Sequence, residues 1–301
     1  MNQDRPEAGQ VVELSRHVRR VVAPNPSPMT YWGTNTYLIG SQDLAVIDPG
    51  PDSADHLRAI LNAVRPGQDI THIFVTHSHV DHSPLASTLS DETGASVYAF
   101  GASGTGRSDV MQRLSAVGLM DAGEGVDHDF VPDIRLADGE TVSGSDWTLE
   151  ALWTPGHLGN HLSFQLGKTV FCGDLVMGWA SSLVSPPDGD LTDFMASCRR
   201  LRKLKPALMH AGHGAPIKKP VERLDWLISH RESREASILE ALREGPATAA
   251  KLTRLVYTDT PESLMGAATR NVLAHLIDLF GKGTVSPVGE LNDRAHFALC
   301  N

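Results

Sequence analysis

Apolar residues along this chain fall into short runs, separated by amphipathic stretches and by turns marked with glycine or proline. In residues 11–20 they partly alternate with polar ones (Val12, Leu14, Val18), which predicts an outer strand. Asn25, Pro26, Pro28 and Gly33 mark a loop that returns as a strand by Ile39, and residues 44–47 form a buried-strand run closed by Asp48-Pro49-Gly50. Ser53 can cap a helix whose Leu57, Ile60, Leu61 and Val64 share a face. Residues 70–75, rich in β-branched and aromatic side chains, predict another buried strand, and Pro84 sits where a helix can start. Strands are also expected at residues 96–100 and 149–153, with a hairpin over residues 162–172 around Gly167-Lys168. Leu191, Phe194, Met195, Cys198, Leu201 and Leu204 recur at helical spacing, so residues 191–204 should form a core-facing helix with Cys198 as filler.

Two stretches break this rhythm. Residues 107–130 are polar and glycine-bearing; they predict an irregular surface insertion with a short helix at Met111 to Val117, roofing a site, with His128 in solvent. Beyond Gly214 the character changes. Residues 220–243 predict one or two charged helices, residues 247–257 a short one, and residues 262–280 a longer one with Leu264, Ala268, Val272, Leu276 and Leu279 along one face. Gly281-Lys282-Gly283 stops it, and residues 284–288 and 295–299 suit a small hairpin. The expected division is residues 1–219 and residues 220–301.

The densest chemistry is Thr76-His77-Ser78-His79-Val80-Asp81-His82, between a predicted strand and a predicted helix. Residues two apart in an extended segment point the same way, so His77, His79 and Asp81 can face one side while His82 turns to a neighbouring point. Such donors suit zinc, iron or manganese, and one short turn can serve two ions. Three later strand ends repeat the grammar: Gly156-His157, Gly173-Asp174 and Gly212-His213-Gly214, with glycine letting the backbone turn sharply. Asp48 is a candidate to steady the ligands from behind, and equally a turn-forming residue before proline. His161, four residues after His157, is a candidate for binding substrate or stabilising an oxyanion, and equally a hydrogen-bonded structural histidine. Tyr31, Trp32 and Trp179 are candidates for lining a cleft or for simple packing. The Gly-Ala-Ser-Gly-Thr-Gly run at 101–106 lacks the G-K-[ST] ending of a phosphate loop and reads as a plain loop.

The order H-x-H-x-D-H, T-P-G-H, G-D and G-H-G over residues 20–215 resembles the metallo-β-lactamase-fold hydrolase superfamily. Asn25 to Gly40, Thr154 to His161 and Ser185 to Ser197 resemble, within it, the subgroup of the mitochondrial β-lactamase-like endoribonuclease and its bacterial relatives. The resemblance implies an α/β fold, a four-layer αβ/βα sandwich with metals at one edge. It implies one metal site from His77, His79 and His157, a second from Asp81, His82 and His213, and Asp174 bridging them. Helices followed by a two-stranded wing resemble the winged-helix module that this subgroup carries at its C-terminus. Members often have Gly-Gly after D-H-S, where this chain has Pro84-Leu85, so its helix should start more stiffly. Asp174, with no cysteine in its place, points to a glyoxalase II or nuclease type of hydrolase rather than an antibiotic-destroying β-lactamase.

Charge and composition narrow the functions further. Of 301 residues, 26 are Lys or Arg against 36 Asp or Glu, and the net charge of -10 gives no general attraction to nucleic acid or acidic lipid. No apolar run is long enough to span a membrane, and residues 1–10 lack a secretory apolar stretch. Three cysteines make no disulfide framework, so the cytoplasm is the expected setting. Arg270 and His275 on the expected helix of residues 262–280, with Lys282 at its end, are offset by Glu262, Asp278 and Glu290. That module should therefore shape the substrate site or form a homodimer contact more readily than bind DNA.

The expected reaction is hydrolysis of a small ester, thioester or lactone by a hydroxide bridging two divalent metal ions, with zinc preferred, iron or manganese tolerated, and Asp81 shuttling the proton. Metal-dependent cleavage of single-stranded RNA is the second expectation. A nucleic-acid-binding regulator with a vestigial hydrolase domain is the third, and the complete ligand set speaks against it.

Overall fold

The computed structural model describes residues 5–118 and 125–300, so residues 119–124 of the expected insertion and the first four of the polar N-terminal stretch lie outside the described residues. In place of a single outer strand, β1 (Val12–Ser15) and β2 (Val18–Val22) form a hairpin, which His17 turns with a left-handed φ of 68°. β3 (Asn35–Ile39) and β4 (Asp43–Ile47) continue the antiparallel run. The chain then crosses through α1 (Ala54–Asn62), whose first turn is capped by Ser53 Oγ accepting the His56 amide, to β5 (Asp69–Phe74), parallel to β4. α2 (Leu85–Thr93) leads to β6 (Ser96–Ala99), and α3 (Asp109–Ala116) precedes β7 (Ile134–Arg135), completing a seven-stranded sheet in chain order.

The second sheet begins with β8 (Thr141–Ser143), β9 (Thr148–Trp153), β10 (Leu162–Leu166) and β11 (Thr169–Gly173), an antiparallel meander. After α4 (Leu191–Leu204), β12 (Leu208–Ala211) adds parallel to β11.

Period-two alternation explains how these sheets stack. Along β4, Ala45 and Ile47 pack with Phe74 against Leu162, Phe164 and Phe171 of the second sheet, while Leu44 and Val46 pack beneath α1 and α2. Along β11, Phe171 faces the first sheet, while Val170 and Cys172 meet Phe194, Cys198 and Leu201 of α4. Every central strand is thus covered on both faces, and the layers run helix, sheet, sheet, helix. Leu204 departs from the expected face and is exposed at the end of α4.

One continuous helix, α5 (Pro220–Leu242), follows; its Leu224 and Leu227 join the α4 cluster, and its Ile238 and Leu242 join a separate one. That second cluster is built with β13 (Ala247–Thr248), α6 (Ala249–Val256), α7 (Met265–Gly281), β14 (Val285–Val288) and β15 (His296–Leu299). The three strands pair in the order β13-β15-β14 beside the helices, which is the winged-helix arrangement. A single 3-10 turn, Glu262–Leu264, stands where the longer helix was expected to begin. Met111 and Leu114 of α3 also pack into this cluster, so the insertion buttresses the C-terminal module. Among the described residues no helix is long and apolar enough to cross a membrane.

Candidate metal centre

Strands β4, β5, β9, β11 and β12 all deliver their following residues to one edge of the sandwich, where the two sheets meet. A bridge between Thr34 and His213, and a 2.7 Å hydrogen bond from the Asn35 amide to the Gly212 carbonyl, join the sheets there. The turn after β5 carries His77, His79, Asp81 and His82; the turns after β9, β11 and β12 bring His157, Asp174 and His213. All seven side chains converge in three overlapping groups: His77 with His79 and His157, His77 with His82 and Asp174, and Asp81 with His82 and His213.

The distances are those of donors facing a common point. His79 Nδ1 lies 2.9 Å from His77 Nε2 and 3.1 Å from His157 Nε2. His213 Nε2 is 3.2 Å from Asp81 Oδ2 and 3.2 Å from Asp174 Oδ2, and His82 Nε2 is 3.3 Å from Asp81 Oδ2. Asp174 Oδ2 also lies 3.8 Å from His157 Nε2, so this carboxylate reaches both ends of the cluster. Glycine permits the crowding. A Cβ at Gly212 would sit 2.2 Å from Asp174 Oδ1, and one at Gly173 would sit 2.6 Å from His161 Nε2.

The surroundings fix which ring nitrogen is free. Asp48 accepts the Thr76 amide (2.7 Å), the Thr76 hydroxyl (2.8 Å) and His82 Nδ1 (2.9 Å). Because the Thr76 hydroxyl donates to Asp48, its oxygen can accept His77 Nδ1–H at 2.9 Å. His157 Nδ1 donates to the Leu183 carbonyl (2.7 Å), and His213 Nδ1 to that of Gly33 (3.2 Å). Each of these four rings therefore turns its Nε2 inward, and on the neutral His77 and His157 that nitrogen is a bare lone pair. His79 has at most one proton to offer two such lone pairs, and His82 Nε2 and Asp174 Oδ1 are buried with no hydrogen-bond partner among the described residues. Inward lone pairs and orphaned buried atoms fit cations, and five imidazoles with two carboxylates make a borderline nitrogen and oxygen donor set.

Electrostatics divides the cluster. Burial, reinforced by neighbouring histidines, lowers His77 well below the ordinary imidazole range and His79 to about 3, and burial also lowers His157. These rings are neutral at neutral pH, the form that binds metal. At the other end burial opposes charge on His82 and His213, but the carboxylates prevail. Asp81 and Asp174 raise His82, and Asp174 holds His213 at about 9. Burial also opposes charge on the two aspartates, and the same histidines nevertheless keep both well below the usual carboxylate range.

A cleft of about 740 Å³ opens on His79, Asp81, His157, Asp174 and His213, and α7 forms its far wall. Trp179 lines it; Tyr31 and Trp32 instead stack beside it, with Tyr31 4.7 Å from the Trp179 ring. His161 does not line this cleft, and of its two expected roles the geometry is that of the hydrogen-bonded structural histidine. It is completely buried behind His77, its Nδ1 against the Thr154 hydroxyl at 3.0 Å, and burial pushes its pKa down to about 3. The insertion does flank the site: the Val80 amide donates to the Gly125 carbonyl, Asp127 binds Ser83, and His128 is exposed.

Several supporting residues went unread in the sequence. Thr34 Oγ1 donates to Asp81 Oδ2 (2.9 Å) and is itself held by Asn25 through two hydrogen bonds, of 2.9 and 3.0 Å. Asn35 and Arg20 clamp the Gly214 carbonyl beside His213. The available signal is the polar pair Asn35-Thr36 leading into the apolar Tyr37-Leu38-Ile39: both are fully buried, and a buried polar group must find partners.

Residues 29–213 match the family described as the metallo-beta-lactamase superfamily, and residues 248–294 match the beta-lactamase associated winged helix domain. A Drosophila melanogaster protein named beta-lactamase-like protein 2 homolog is 30% identical over 289 residues, 91% of this chain and 91% of that one. An atrochrysone carboxyl ACP thioesterase of Aspergillus fumigatus is 28% identical over 276 residues, 85% of this chain and 78% of that one. The crystal structure of a beta-lactamase domain protein from Burkholderia ambifaria superposes with a TM-score of 0.80 at 22% identity, covering 98% of this chain and 95% of that one.

Proposed function

This chain belongs to the metallo-β-lactamase superfamily and is a metal-dependent hydrolase, and on that premise we propose that it cleaves an ester, thioester or lactone of a small substrate. The observation that carries this reading is the lining of the cleft: among the described residues, Arg270 is its only Lys or Arg. A wall that tracked RNA phosphates would need a row of cations, because neutralised phosphates supply most of such affinity. Met29, Met177, Leu183 and Leu264 instead offer apolar surface to an acyl chain or ring. The name of the Aspergillus fumigatus relative, a thioesterase, supports the same class.

His77, His79 and His157 would hold one divalent cation and Asp81, His82 and His213 the other, with Asp174 between them. Zn2+ suits this donor set best, and iron or manganese is compatible with it. When bound, the two cations supply Lewis acidity, which makes water a usable nucleophile near neutral pH and polarises the oxygen of the scissile group. Asp81, at the cleft and oriented by Thr34, takes the proton from the attacking water and returns it to the departing oxygen or sulfur. Apolar side chains along the cleft orient the substrate, and His161 contributes from behind by packing against His77.

A panel assay tests the reading. Acyl thioesters, esters, lactones and a fluorescent single-stranded RNA are each offered with and without chelator. Chelator-sensitive turnover of a thioester, ester or lactone supports it; cleavage of RNA alone, lost in Asp81→Ala, replaces it with the ribonuclease reading.

A further inference from the structure

Residues 175–190, which follow Asp174, contain no helix or strand. Within them lies the carbonyl of Leu183, the acceptor that fixes the tautomer and tilt of His157. No backbone–backbone hydrogen bond reaches residues 182–184 among the described residues, so no ladder positions that carbonyl. Side chains position it instead. On one side of Leu183, the Ser182 carbonyl accepts from the guanidinium of Arg231, a fully buried residue of α5, and Ser182 Oγ donates to the Leu175 carbonyl at 3.0 Å. On the other side, the Val184 amide donates to Asn271 Oδ1 of α7 at 3.0 Å.

The two anchors are joined, since Arg231 Nη1 donates to the same Asn271 oxygen at 2.9 Å. The Asn271 amide nitrogen donates to the Ala267 carbonyl at 3.3 Å, which settles the orientation of the amide group. Asn271 and Leu183 both line the cleft.

We infer that Asn271 and Arg231 are positioning residues of the metal centre: the winged-helix module holds the 182–184 peptide so that His157 presents Nε2 to the first cation. The C-terminal module is then part of the hydrolytic apparatus rather than an appended binding domain. Partners that orient a ligating histidine from outside the coordination sphere commonly govern metal affinity by 10–100-fold. This inference rests on the proposed metal centre, and its test separates the two.

The test uses the full chain, stripped of metal and titrated with Co2+ and Zn2+ against a chromophoric chelator, with the visible spectrum of Co2+ recording the geometry of each site. Asn271→Leu keeps the volume but removes the acceptor for both the Val184 amide and Arg231. Asn271→Asp keeps that acceptor and faces Arg231 with a charge. The expected result is that Asn271→Leu weakens the site containing His157 by about tenfold or more and alters its Co2+ spectrum, leaves the second site within about twofold, and is rescued in Asn271→Asp. Thermal unfolding of both variants shows whether they are folded; if Asn271→Leu does not fold, Arg231→Lys, which retains one donor, is titrated in its place. Wild-type affinities and spectra in the folded substituted variant overturn the inference, as does equal loss at both sites. Absence of metal binding by the unaltered protein would overturn the metal centre itself.

Discussion

Asp48 holds His82 from the side opposite the metal cluster, its carboxylate receiving Nδ1 at 2.9 Å while also accepting the amide and hydroxyl of Thr76. Through Thr76 the same carboxylate orients His77. One buried acid thus orients two histidines assigned to different candidate metal sites, from a turn where its own φ is +53°.

Replacing Asp48 by Asn should therefore weaken both sites together. The expected loss is about 10–100-fold in metal affinity. Competition with a chromophoric chelator reads it, and affinity equal to that of the unaltered protein would show that Asp48 only shapes its turn.

His161 should behave as a core residue. His161→Ala leaves the Thr154 hydroxyl with one partner fewer and opens space behind His77, at a cost of about 1–3 kcal/mol. Denaturant unfolding measures that loss, while KM is expected to stay unchanged because the ring does not touch the cleft. A raised KM with unaltered stability would return His161 to substrate binding.

Metal uptake should release protons. In the stripped protein His213, held at about 9, and His82, also raised, carry protons at pH 7 that a cation must displace. Apparent affinity should then fall as the pH is lowered, and the proton release should fade as pH rises past 9. Calorimetric titrations in buffers of differing ionisation enthalpy count the protons; heats independent of buffer at pH 7 would contradict the assignment.

In the winged-helix module His275 is buried, and neither ring nitrogen has a hydrogen-bond partner among the described residues. Burial depresses its pKa to about 3, whereas an unfolded chain would protonate it at its ordinary value of 6.5. Its contribution to stability is fully present above that value and is lost as acid protonates the unfolded state, by at most about 1.4 kcal/mol per pH unit. His275→Leu should flatten the fall in stability between neutral pH and pH 4, and a slope equal to that of the unaltered protein would count against it.

Much of this was legible in the sequence, for identifiable reasons. Three of the candidate donors, His157, Asp174 and His213, adjoin glycine at strand ends and the other four follow a strand directly, and apolar periodicity locates strand ends well. The helix over residues 191–204 has an apolar face whose spacing marks both of its ends, although Leu204 itself is exposed. The role of Asn271 was hidden, because it acts on a loop with no periodicity, through partners some 40 and 87 positions away. The two roles of His161 stay open in the sequence for a related reason: spacing from His157 puts it near the site but cannot say on which side of His77 it lies. The N-terminal hairpin escaped because His17 supplies a left-handed turn that glycine or asparagine usually provides.

The most direct test of the account is an anomalous-scattering map of the crystallised protein at the absorption edge of its bound metal. Two peaks per chain are expected, one enclosed by His77, His79 and His157, the other by Asp81, His82 and His213, with Asp174 reaching both. A chain purified and crystallised with divalent transition metal supplied throughout, yet showing no peak among these residues, would contradict it.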